Sequence, residues 1–213
     1  MIRALRLLRS TLSAWYYDLF VLLAANIVWF VLCLLILPIG PATAGLFYIS
    51  NEVAKGEPIS FRLFWVGMRR FLGLSVKLSI VVVSVTLLLI VNCIFYLRLQ
   101  STVGMIVGII WAYAIVFWGM LLTYPFALLV SMENPGIIKI TRAAILLVLD
   151  NVLFTISMAI LAVVLVGISF FPFGGLPIPF GLAAFLAVFQ CKAVILLFAK
   201  YEERSKSSTA SGR

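Results

Sequence analysis

Apolar residues run in long blocks along this chain, and the polar positions collect between them. Five blocks approach or exceed the about 20 residues that a helix needs to cross a bilayer: 17–37, 75–97, 104–130, 151–171 and 176–199. Pro38 and Gly40 end the first block, and Lys77 and Arg98 mark the two ends of the second. The third is long enough to tilt. It carries Pro125, whose missing N–H predicts a kink. An uncharged turn at 171–177, rich in Pro and Gly, separates the last two blocks. No block alternates polar and apolar residues as the strands of a transmembrane barrel do. The pattern predicts an all-α, polytopic transmembrane bundle of five spans as a single domain over 1–199. A charged, then Ser-rich tail over 200–213 is expected to be disordered.

Two stretches between the blocks have a helical period of their own. From Pro41, which suits a first helical turn, Leu46, Ile49 and Val53 recur on one face, opposite Asn51, Glu52 and Lys55, and Gly56 supplies a stop. After Ser60, Phe61, Phe64, Trp65, Met68, Phe71 and Leu72 form a stripe, with Arg62, Arg69 and Arg70 off it. Helices over about 41–55 and 61–73 are therefore expected at the interface, the second lying flat on the lipid surface or packed across the bundle end. A third segment, 137–150, starts after Asn134-Pro135. It reads equally as a short interfacial helix or as an early extension of the fourth span.

Composition agrees with burial in lipid. The chain is 65% hydrophobic and 11% charged, where soluble domains run near 45–50% and 25%. The net charge of +9 sits beside apolar spans, which points to a bilayer with anionic headgroups as the partner and not to nucleic acid. With no histidine, the commonest general base and metal ligand is missing. Cys33, Cys93 and Cys191 lie far apart in apolar runs without ligand spacing, so no metal and no cofactor is expected. There is no zinc helix, phosphate loop or paired-carboxylate motif, and no enzyme is predicted.

The N-terminal arginines, the apolar run that follows and the small-residue triplet Ala42-Thr43-Ala44 together look like a leader. However, the run from Leu19 to Leu37 exceeds the about 7–15 apolar residues of a signal peptide, so an uncleaved first helix is expected. Five spans put the termini on opposite sides. Twelve of the sixteen basic residues then share one side, leaving Arg3, Arg6, Arg9 and Arg98 on the other. The positive-inside rule places the C-terminus in the cytoplasm of a bacterial cell and the N-terminus outside.

The series Asn26-Ile-Val-Trp29, Leu37-Pro38-Ile-Gly40-Pro41-Ala42-Thr43-Ala44, Gly56-Glu57 and Phe61-Arg62-Leu-Phe64-Trp65 resembles the bacterial YesL-like membrane family, also called domain of unknown function 624. The resemblance covers about residues 17–75. It implies no defined activity, but an accessory role near a carbohydrate uptake transporter.

Polar groups inside lipid are costly and mark candidate sites. Asn26 and Asn92 are expected to hydrogen-bond across the first two spans or to backbone, or to flank a polar ligand. Gln190 and Lys192 lie in the last span. Lys192 either snorkels to the surface or pairs with Glu133 or Asp150. Asp18 and Arg98 are expected to meet at the outer surface. Gly104, Gly108 and Pro125 are packing positions, and Arg62, Trp65, Arg69 and Arg70 are candidate lipid or partner contacts. The function expected is a non-catalytic accessory or scaffold subunit of a membrane complex, with an unidentified membrane-protein partner. The alternative is a small-solute transporter or channel component, which requires a polar path through the bundle.

Overall fold

The computed structural model describes residues 7, 11–12, 16–35, 38–99, 101–173 and 181–211. Among them every regular element is helical. The helices are α1 (Leu19–Leu34), α2 (Ile39–Lys55), α3 (Arg62–Arg70), α4 (Leu72–Arg98), α5 (Thr102–Leu121), α6 (Pro125–Ser131), α7 (Ile137–Asp150), α8 (Val152–Phe173) and α9 (Ala183–Ser211).

Local chemistry sets several of the boundaries. Gly56 takes a left-handed conformation (φ 81°), and the Glu57 N–H returns to the Glu52 carbonyl at 3.0 Å, closing α2. The Ser101 hydroxyl accepts the Gly104 N–H at 3.0 Å and starts α5. Before Pro125 the helix is interrupted locally, although Thr102–Ser131 still runs as one stretch. α5 ends at Leu121, and α6 restarts with the proline in its first turn, where its missing N–H costs nothing.

Three helical stretches are long and apolar enough to cross a membrane: Leu72–Arg98, Thr102–Ser131 and Ala183–Tyr201. A fourth qualifies if α7 and the first part of α8 count together, but their axes bend by 103° at Asn151. The expectation of five spans is thus met by three or up to four. α1 falls short because its 16 residues reach only about 24 Å, less than the hydrocarbon thickness. The same bend removes the reading of 137–150 as a straight extension of the fourth span. The chain also stays helical to Ser211, where a disordered tail was expected. Residues 200–211 contain no Gly or Pro to stop the helix, and Lys200 to Arg204 are mostly good helix formers.

α2 forms the centre of the fold. It packs on α1, α3, α4, α6 and α9, and Gly40, Ala42, Ala44, Gly45, Leu46, Ile49 and Val53 are buried. It is therefore covered on several faces, not laid at a surface. α1 and α2 form a hairpin. Trp29 and Thr43, about equally far from the turn, bond to each other, and Leu22 and Ala25 pack with Leu46, Ile49 and Val53. α1 therefore begins at the end of the bundle where α2 finishes. A second core joins Tyr124, Leu128, Ile140, Leu147, Val194 and Leu197 from α6, α7, α9 and the α5–α6 break.

The outward faces of α4, α5 and α8 remain apolar. Ile80, Leu87, Val91, Ile106, Ile110, Val116, Leu153 and Val163 are all exposed. Such a surface is unfavourable in water and ordinary in hydrocarbon.

Candidate functional site

Two small-residue positions let α2 sit in the middle. A Cβ on Gly40 would lie 2.7 Å from the Ser75 carbonyl oxygen and 2.6 Å from Ser79 Oγ, on α4. A Cβ on Gly45 would lie 2.7 Å from the Phe64 carbonyl oxygen, on α3. Close backbone approach of this kind is how small residues hold helices together in lipid, where no hydrophobic force drives the helices together.

Side-chain hydrogen bonds then fix the hairpin to its neighbours. Trp29 Nε1 donates to Thr43 Oγ1 at 3.1 Å, and that hydroxyl donates to the Ile39 carbonyl at 2.7 Å. Asn26, fully buried, accepts the Ala184 N–H on its Oδ1 at 2.8 Å. Ala184 lies in the first turn of α9, where the N–H groups have no partner within the helix. Asn26 thus caps α9 from α1, across a long stretch of sequence. Farther along α2, Ser131 Oγ donates to Asn51 Oδ1 at 3.2 Å. The Asn51 Nδ2 and the neighbouring Ser50 Oγ are buried without a partner among the described residues.

α3 lies across this junction with its apolar side inward. Phe64 is fully buried and Phe71 nearly so. The expected stripe is therefore split, because Trp65 is 39% and Leu72 50% exposed. The outer face carries exposed Arg62, Trp65, Val66 and Arg69. Arg70 leans over the rings of Tyr48 and Phe71, 6.0 and 5.4 Å from their centroids. Of the two readings of this helix, the one packed across the bundle end describes how its apolar residues are used.

Asn92 does not meet Asn26. Its Nδ2 donates to the Leu88 carbonyl of its own helix at 2.7 Å, so the two amides serve different purposes. Gln190 lines a groove of about 510 Å³ between α5, α8 and α9, otherwise bounded mainly by apolar residues such as Val116, Met120, Ile160 and Val163. Lys192 is half-buried on α9. Lys55 and Glu52 form an ion pair at 3.0 Å. Asp18 and Arg98, expected to meet, do not pair with each other. Asp150 accepts the Tyr201 hydroxyl, and Lys200 donates to Asn151 Oδ1 at 2.7 Å. Gly104 and Gly108 are buried against α4: added Cβ atoms would meet Leu99 Cβ at 2.8 Å and Leu97 Cδ2 at 2.7 Å.

Sequence reasoning missed the polar chain from Lys200 through Asn151 and Thr155 to Tyr124, the last step being 2.7 Å between Thr155 Oγ1 and the Tyr124 hydroxyl. The only signal was a polar pair, Asp150-Asn151, interrupting an apolar run. No group of three His, Cys, Asp or Glu is placed to hold a metal among the described residues.

Long apolar helices with lipid-compatible outer faces define a class compatible with a multi-pass membrane protein. Within that class, residues 22–93 match the family described as Protein of unknown function, DUF624. This is the family that the Asn26–Trp29 and Gly40–Ala44 motifs resemble, and the match is confined to this segment of the chain. No curated protein matches the chain, and no solved structure matches it.

Proposed function

We propose that this protein is a non-catalytic accessory or scaffold subunit of a bacterial membrane complex, in which the outer face of α3 receives an acidic segment of a partner subunit. The observation that carries the reading is the orientation of α3. Phe64 and Gly67 are buried in packing on α2, and Arg62, Trp65, Val66 and Arg69 face outward. Arg and Trp are the residue types that dominate binding surfaces. The arrangement of the interior supports the same reading. The buried polar side chains at Asn26, Asn51 and Thr155 are engaged at separate helix junctions and do not line up as the polar path that transport requires. A carbohydrate uptake transporter is the complex we would test first.

The test is a pull-down in mild detergent on a C-terminal tag, read by mass spectrometry. Stoichiometric membrane-protein partners are expected with the wild type, and an at least several-fold loss with the double variant Arg62→Glu/Arg69→Glu. Recovery of the chain alone in repeated experiments would overturn the reading and make solute flux into liposomes the next assay.

The topology we propose follows from the hairpin. α1 and α2 together return the chain to the side where it began, so crossings by α4, α5, α8 and α9 bring the C-terminus to that same side. The segment preceding α1 then joins the twelve basic residues already there, leaving Arg98 alone on the far side. This replaces the expected five-span arrangement with an external N-terminus, and it satisfies the positive-inside rule more fully. Reporter fusions check it. Green fluorescent protein is expected to fluoresce at either terminus, and active alkaline phosphatase at the N-terminus would rule the topology out.

A further inference from the structure

α7 presents two faces that require different surroundings. Ile140, Ala144, Leu147 and Val148 are buried against the bundle. The opposite face exposes Ile138 (84%), Leu149 (58%) and Ile145, with Lys139 and Arg142 exposed among them. At 100° per residue, Leu149 falls between Ile138 and Arg142, and Arg142 lies closest to the outermost line of the helix. The one acidic residue of α7, Asp150, accepts the Tyr201 hydroxyl and lies about two turns or more from Arg142 and Lys139, beyond the reach of a side-chain pair, so the cations of this face are not paired from within the helix.

The bend settles what such a face can meet. α7 turns by 103° from the axis of α8. With α8 running through the bilayer, α7 lies close to the membrane plane. A helix held there sets apolar side chains at the level of the upper acyl chains, and lysine or arginine stems reach from that level to the headgroups. Neither water nor hydrocarbon alone suits a surface that mixes Ile138 and Leu149 with Lys139 and Arg142.

We propose that α7 is an in-plane contact for anionic phospholipid, with Ile138, Ile145 and Leu149 among the acyl chains and Lys139 and Arg142 on the phosphates. It rests on the membrane reading of the bundle and not on the docking role of α3. The partner pull-down and the lipid measurement can therefore fail independently.

The experiment uses the full-length chain in vesicles of phosphatidylcholine and phosphatidylglycerol. Spin-labelled versions of each lipid report which one is motionally restricted at the protein. The wild type is expected to prefer phosphatidylglycerol. Lys139→Gln/Arg142→Gln is expected to reduce that preference about fivefold, and Arg62→Gln/Arg69→Gln to leave most of it. An unchanged preference in the α7 variant, or a loss confined to the α3 variant, overturns the proposal. A second measurement does not depend on that variant folding. A spin label on Ile138→Cys, with the three native cysteines replaced by alanine, is expected to collide with oxygen more than with a water-soluble nickel chelate. Dominant nickel access would mean a face in water, and access by neither would mean a face covered by protein. Either result overturns the assignment.

Discussion

Gly40→Ala is expected to destabilise the protein, although alanine is ordinarily the better helix former. In an exposed helix interior the exchange gains about 1 kcal/mol. Here the added Cβ would stand 2.7 Å from a backbone oxygen of α4, at Ser75, as well as 2.6 Å from Ser79 Oγ. A hydroxyl can turn away, but a helix backbone cannot move without carrying the helix with it. Overpacking of this kind costs about 1–3 kcal/mol, so the cost exceeds the propensity gain and the net sign is unfavourable. Gly45→Ala meets the same obstacle at the Phe64 carbonyl, 2.7 Å away. Valine at either position should be worse, since its γ-methyls extend the clash.

The controls lie in the same molecule. A Cβ on Gly73 or Gly119, both helical, meets nothing within 4 Å, so Gly73→Ala and Gly119→Ala are expected to be neutral or stabilising. Thermal unfolding in detergent, followed by size-exclusion recovery, orders the four alanine variants. If Gly40→Ala and Gly45→Ala rank with the controls, α2 does not approach its neighbours as closely as described, and the central position of the hairpin is wrong.

That central position is also where the sequence was least legible. The long apolar blocks announced α4, α5 and α9 because hydropathy over 18 or more residues responds to length and apolarity, whether the helix is largely exposed, as α4 and α5 are, or half-buried, as α9 is. α2 is short and carries Gly40, Ala42, Ala44 and Gly45, which lower its hydropathy and suggest a turn followed by an amphipathic helix. Periodicity tells which face of a helix is apolar. It does not tell how many neighbours cover the remaining faces, and five do so here. The same limit applies to α3, where one stripe held Phe64 and Phe71, which are buried, together with Trp65 and Leu72, which are exposed.

The bend at Asn151 had no Pro or Gly to announce it. It is held from a distant part of the chain, by Lys200 on Asn151 and Tyr201 on Asp150. Local pattern therefore described helices well and their crossings poorly, because crossings depend on which small residues and which lone polar groups find each other across the fold.

The two asparagines of the apolar spans make this testable, since hydropathy cannot tell them apart. Asn26→Leu is expected to destabilise the protein by about 1–3 kcal/mol, the cost of stranding a buried donor. The Ala184 N–H loses the acceptor now 2.8 Å away, and leucine offers no replacement. Asn92→Leu removes only a bond from the side chain to the Leu88 carbonyl of its own helix. That carbonyl keeps its place in the helical ladder, and leucine suits a partly exposed position in lipid, so the expected change is within about 0.5 kcal/mol. The loss in Asn26→Leu should also be local. Hydrogen exchange should quicken most at the start of α9, around Ala184 to Val188, before global unfolding is affected. A conservative Asn26→Gln change should restore little, because its longer side chain must displace buried neighbours to bring its oxygen to the same N–H. Equal stabilities for Asn26→Leu and Asn92→Leu, with unchanged exchange at Ala184, would mean that α9 is capped from elsewhere. The Asn-x-x-Trp motif would then owe its place in the fold to Trp29 and Thr43 alone.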